Sequence, residues 1–81
     1  MTMDPSRAFG KALRLLRDEQ GLSQEKLASL AHLHRTHISL LERGRRQPTL
    51  TTVFRLASVL GVSATEFIQA VEEEIDASGP N

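Results

Sequence analysis

Residues Ser23 to Gly44, SQEKLASLAHLHRTHISLLERG, read as two short helices separated by the three-residue turn His32-Leu33-His34. At about 100° per residue, Arg35, Thr36, Ser39, Leu40 and Arg43 fall in one arc of the second helix, whereas Ile38 and Leu41 point the other way. One face packs and the other is presented outward. The preceding helix offers Leu27, Ala28 and Ala31, and its small alanines let two backbones cross closely, with Leu33 plugging the junction. On a lone amphipathic helix an arginine face is ordinarily a solvated surface. Here it follows a tight turn, ends at Gly44 and runs on into Arg45 and Arg46.

The rest of the chain parses outward from this pair as five helices, an all-α class. Asp4 caps the first helix, with Pro5 at its first position, and Phe9, Ala12, Leu13 and Leu16 form its inward stripe before Gly21 ends it. Ser23 caps the second helix, His34 takes the cap position of the third, and Gly44 closes that one with a left-handed residue. Thr49 starts a fourth helix with Leu50, Val53, Leu56, Ala57 and Leu60 inward, ended by Gly61. Ser63 and Glu66 form a capping box for the fifth, which carries Phe67, Ile68, Val71 and Ile75. The expected organisation is a flexible stretch 1–4, one domain over 5–75, and a flexible tail 76–81.

Composition narrows the function classes. Eighty-one residues are expected to form one domain that buries roughly 60% of its unfolded surface, with no separate ligand-sensing domain expected. No cysteine is present, which removes disulfides and thiolate metal sites, and no long apolar run or signal peptide is seen. The default expectation is a cytoplasmic protein. The net charge is zero but unevenly spread: Ser23 to Leu50 holds five basic against two acidic residues, and Ser63 to Asn81 holds five acids and no base. A basic surface and an acidic end cancel in the total. That basic surface, on a helix presented by a tight turn, suits the DNA major groove.

The run LSQEKLASLAHLHRTHISLLERGRRQPTLTTVFRLASVLGV resembles the Cro and phage-repressor (xenobiotic-response-element) helix-turn-helix family. The segment HRTHISLLERGRR is most similar to restriction-modification controller proteins and stand-alone regulators of that build. The resemblance covers roughly residues 7 to 70 and implies a compact, lambda-repressor-like five-helix bundle that binds double-stranded DNA. By that resemblance Arg35, Thr36 and Ser39 lie where relatives reach base edges, and Gln24, at a helix amino end, lies where they touch a phosphate. Arg43 and Arg46 fall where controllers grip the backbone or nearby bases. Arg17 and Glu42 match a family ion pair between the first and third helices.

Two positions depart from the family pattern. His32 stands where glycine is common and must adopt a left-handed backbone, and Leu40 faces outward where relatives carry a polar side chain. Leu40 either touches a thymine methyl or packs at the groove rim. Arg35 has the geometry for a bidentate contact to guanine, while Arg43, Arg45, Arg46 and Gln24, with His34 beside them, set the register through phosphates.

A single domain of this size covers few base pairs, so the expected active form is a homodimer on a palindromic operator. Its recognition helices would stand about one DNA turn, roughly 34 Å, apart. Phe54, Ile68, Val71 and Ile75 are the expected dimer surface, with Phe67 kept for the monomer's own core. With no effector domain, the resemblance implies an autoregulatory repressor or activator at the bacterial nucleoid, controlled by its own concentration and by no small molecule. The alternative is an antitoxin whose acidic end holds a toxin partner as well as DNA. His32, His34 and His37 lie at the turn, the cap and the helix rim rather than converging on a metal, so no metal or cofactor is expected. No serine is paired with a histidine and an acid, and no phosphate-binding glycine loop appears, so an enzyme is not expected.

Overall fold

The computed structural model describes residues 3–79. Five helices follow in order: α1 (Pro5–Glu19), α2 (Gln24–Ala31), α3 (Arg35–Glu42), α4 (Leu50–Leu60) and α5 (Ala64–Ala77), with no strand among the described residues. Local chemistry sets the boundaries. Asp4 accepts from the N–H groups of Ser6 and Arg7, Ser23 from Lys26, and Thr49 from Thr52, each satisfying orphan donors of a first turn. Ser63 and Glu66 close a reciprocal capping box on α5. Gly61 ends α4 in the left-handed region, and His32 does the same for α2 at φ 59°, the one non-glycine residue described there.

Helix α1 lies across α3 and α5, α2 packs on α3 and α4, and α4 packs on α5. The core is drawn from all five: Ala8, Phe9, Ala12 and Leu13, then Leu27, Ala28 and Ala31, Ile38 and Leu41, Val53, Leu56, Ala57 and Leu60, and Phe67 with Val71. Phe9 and Phe67 stack with ring centroids 4.8 Å apart and planes within 8°, joining the first helix to the last. Leu33 packs half-buried against this core at the turn. Gly10 faces the end of α3 so closely that a Cβ there would collide with the Leu41 carbonyl oxygen and stand 2.6 Å from that of Glu42.

Three inward or outward assignments change. Leu50 was expected in the core but is 78% exposed. It lies about 70° from the centre of the Val53, Leu56, Ala57 and Leu60 stripe, and α5 does not reach around to cover it. Val71, expected on a dimer surface, is buried in the monomer, because it sits one turn beyond Phe67 and follows it onto α1. Ile75, expected beside it, is half-buried against the same core.

Asp4 is held as a cap, and the Met3 N–H donates to Ser78 Oγ at 2.9 Å. Helix α5 continues through Asp76 to Ala77. Met1, Thr2, Pro80 and Asn81, parts of the stretches expected to be flexible, lie outside the described residues.

Candidate nucleic-acid interface

The presented face of α3 is open. Arg35 and Thr36 are exposed, Ser39 and Leu40 are half-buried, and Ile38 and Leu41 are buried beneath them. Arg35, Thr36 and Ser39 line a shallow hollow of about 180 Å³, and among the described residues no other side chain lines it. His34 stands exposed at the N-cap with no side-chain capping bond. His37 is half-buried, and among the described residues no group of histidines and acids is placed to hold a metal ion.

Past the end of α3 the chain turns through Arg43, Gly44 and Arg45. The carbonyls of Ser39, Leu41 and Leu40 accept from the N–H groups of Arg43, Gly44 and Arg45, so three of the last four carbonyls of α3 are satisfied from within. Arg43 Nε also leans back toward the Ser39 carbonyl at 3.4 Å. Arg43, Arg45 and Arg46 are exposed. Among the described residues neither these three nor Arg35 has a carboxylate within ion-pairing distance. Unpaired arginines at the start of the projecting helix and in the turn beyond its end create a positive field suited to a polyanion.

A polar clamp holds this face in place. Arg17 on α1 donates to Glu42 on α3 through two nitrogens, at 2.6 and 3.0 Å, and to the Leu22 carbonyl at 2.8 Å. Both side chains are largely buried, at 12% and 5% exposure. The Glu42 hydrogen bonds hold the Arg17 guanidinium above its ordinary pKa despite partial burial. Gln24 Nε2 joins at 3.0 Å to Glu42 Oε1, tying the first residue of α2 into the same cluster. The family resemblance pairs Arg17 with Glu42 but implies no Gln24 bond. A bond across that separation arises only once α2 and α3 are packed.

The described apolar surface lies on another side. Phe54 is 61% exposed and Ile68 45% exposed, and with Leu50 they border a hollow of about 560 Å³ between α4 and α5. Phe54 also borders a second hollow with Leu30 and Val59 on the α2 side. Of the residues expected at a dimer surface, Phe54 and Ile68 are thus brought together in the open and joined by Leu50, which sequence reading had turned inward. The helical wheel carried the signal, since Leu50 and Phe54 are one turn apart on the same shoulder.

The helix-turn-helix family model matches residues 13–67. The chain is 39% identical over 71 residues to the uncharacterized HTH-type transcriptional regulator y4dJ of Sinorhizobium fredii, covering 88% of this chain and 92% of the relative. It is 38% identical over 69 residues to the control protein C.BamHI of Bacillus amyloliquefaciens, covering 84% and 85% respectively. Its fold is similar to that of the restriction-modification controller protein C.Esp1396I, solved as a tetramer in complex with its natural 35 base-pair operator. That match has a TM-score of 0.81 at 30% identity, over 90% of this chain and 96% of the other.

Proposed function

The chain belongs to the helix-turn-helix family, as a DNA-binding transcriptional regulator of controller type, and from that premise we propose that it works as a homodimer on a palindromic operator. The observation that carries the proposal is the coexistence, on separate sides of one small domain, of an open arginine face on α3 and an exposed apolar patch of Leu50, Phe54 and Ile68. One side supplies base and phosphate contacts. The other offers a self-complementary surface of the kind a two-fold dimer buries.

Arg35 reads guanine through N7 and O6, with Thr36, Ser39 and Leu40 beside it, and each good bidentate contact contributes about 1–3 kcal/mol of discrimination. Gln24, His34, Arg43, Arg45 and Arg46 hold phosphates and set register. The Arg17, Glu42 and Gln24 cluster keeps α2 and α3 at a constant mutual angle, so the phosphate contact at the start of α2 and the base contacts of α3 move as one unit. Dimerisation sets the spacing of two such units to about one turn of DNA, roughly 34 Å. The controller-type reading places the protein at its own promoter, in the cytoplasm at the nucleoid, with protein concentration as the regulating variable.

Selection of bound duplexes from a random pool, followed by footprinting, tests this. The expected site has two inverted half-sites about ten base pairs apart, centre to centre. Arg35→Ala should then lose preference for that site over scrambled DNA while keeping its general affinity. A single unrepeated site, or an Arg35→Ala protein with full preference, would overturn the reading.

A further inference from the structure

We infer that Arg7, at the start of α1 and far in sequence from the α3 region, is a further DNA phosphate contact. It is brought to the basic end of α3 by its approach to Gly44. Gly44 lies in the left-handed region at φ 70°, and a Cβ built on it would stand 2.8 Å from Arg7 Cγ and 2.9 Å from Arg7 Cα. The Arg7 stem therefore lies against the backbone between Arg43 and Arg45. Its stem thus runs beside the turn that carries Arg43 and Arg45, with Arg46 next along the chain.

Two competing roles for the Arg7 guanidinium are already filled. The Arg7 side chain makes no hydrogen bond to the end of α3, where the Ser39, Leu40 and Leu41 carbonyls accept backbone N–H groups from Arg43, Arg45 and Gly44. Nor does it neutralise a neighbouring acid. Asp4, the N-cap of its own helix, caps the N–H groups of Ser6 and Arg7, and Glu42 is engaged by Arg17 and Gln24. Among the described residues Arg7 has no carboxylate within ion-pairing distance and its side chain makes no hydrogen bond, although it is exposed. Arg43, Arg45 and Arg46 along this turn, and Arg7 with its stem against Gly44, carry like charges that the negative charge of a polyanion would neutralise. A duplex backbone held by Arg43, Arg45 and Arg46 supplies that charge at the place where Arg7 stands.

This inference rests on the DNA-binding reading above. Its test uses the full chain and a short random-sequence duplex, with affinity measured by fluorescence anisotropy over a range of salt concentrations. Arg7→Gln keeps the stem that packs on Gly44 and removes the charge. It should reduce the slope of log affinity against log salt by about 0.9, equivalent to roughly an eightfold loss at about 0.1 M salt. Arg7→Lys should keep the wild-type slope, and Arg14→Gln, whose partner is Asp18 on the same helix, should leave it unchanged. An unchanged slope in Arg7→Gln would overturn the inference, as would an equal loss in Arg7→Lys or in Arg14→Gln. A wild-type protein with no salt-dependent DNA binding would instead remove the functional reading itself.

Discussion

Replacing Gly10 with alanine sets two opposed effects against each other at the crossing of α1 and α3. In favour, alanine in a helix interior is about 0.5–1 kcal/mol more stable than glycine, which loses more backbone freedom on folding. Against it, the new Cβ would meet the Leu41 carbonyl oxygen and would lie 2.6 Å from that of Glu42. Carbon-to-oxygen contacts settle at about 3.3 Å or more, so α3 would have to retreat by roughly 0.7 Å to clear the Glu42 oxygen and further to clear that of Leu41. The atoms struck are backbone and cannot rotate aside.

Leu41 and Ile38, both fully buried, and the Arg17–Glu42 pair at 2.6 Å resist the retreat. Overpacking of this kind costs about 1–3 kcal/mol, and stretching a largely buried ion pair adds to it. The net expectation is destabilisation by about 1–2 kcal/mol, which lowers Tm by roughly 4–16 °C in a domain of this size. Calorimetry or urea unfolding of the two proteins measures it directly. A Gly10→Ala protein as stable as the wild type, or more so, would refute the close crossing, since helix propensity alone would then be acting.

Three other substitutions test separate parts of the structure. Glu42→Ala leaves the Arg17 guanidinium largely buried with only the Leu22 carbonyl and a 3.5 Å approach to Asp18, and should cost about 3 kcal/mol in urea unfolding. A loss below about 1 kcal/mol would mean that water replaces the carboxylate without difficulty. His32→Gly removes a Cβ from a left-handed residue and should stabilise the fold by about 0.5–1 kcal/mol, less than the full strain because glycine also frees the unfolded chain. A fall in Tm would show that the imidazole has a packing role. Phe54→Asp, at an exposed site, should leave the melting temperature of the monomer nearly unchanged while sedimentation at tens of micromolar shifts from dimer to monomer. A dimer that survives this change would exclude the Leu50, Phe54 and Ile68 patch as its interface.

Much of this protein was determined residue by residue along the chain. The caps at Asp4, Ser23, Thr49 and Ser63 and the left-handed stops at His32 and Gly61 depend on hydrogen bonds and backbone sterics within a few residues. The inward stripes of α1, α2 and α3 follow from helical period alone, and they turn the Arg35 face outward. Tertiary structure decided what depends on a second element's position. Whether Leu50 or Val71 is covered turns on where α5 and α1 end up: Leu50, inward by the period, is left open, and Val71, expected on a dimer surface, follows Phe67 onto α1. The meeting of Gln24 with Glu42, of Gly10 with the end of α3, and of Arg7 with Gly44 joins residues far apart in sequence. Such meetings are set by the crossing of packed helices, a distance of a few tenths of an ångström that no local pattern encodes.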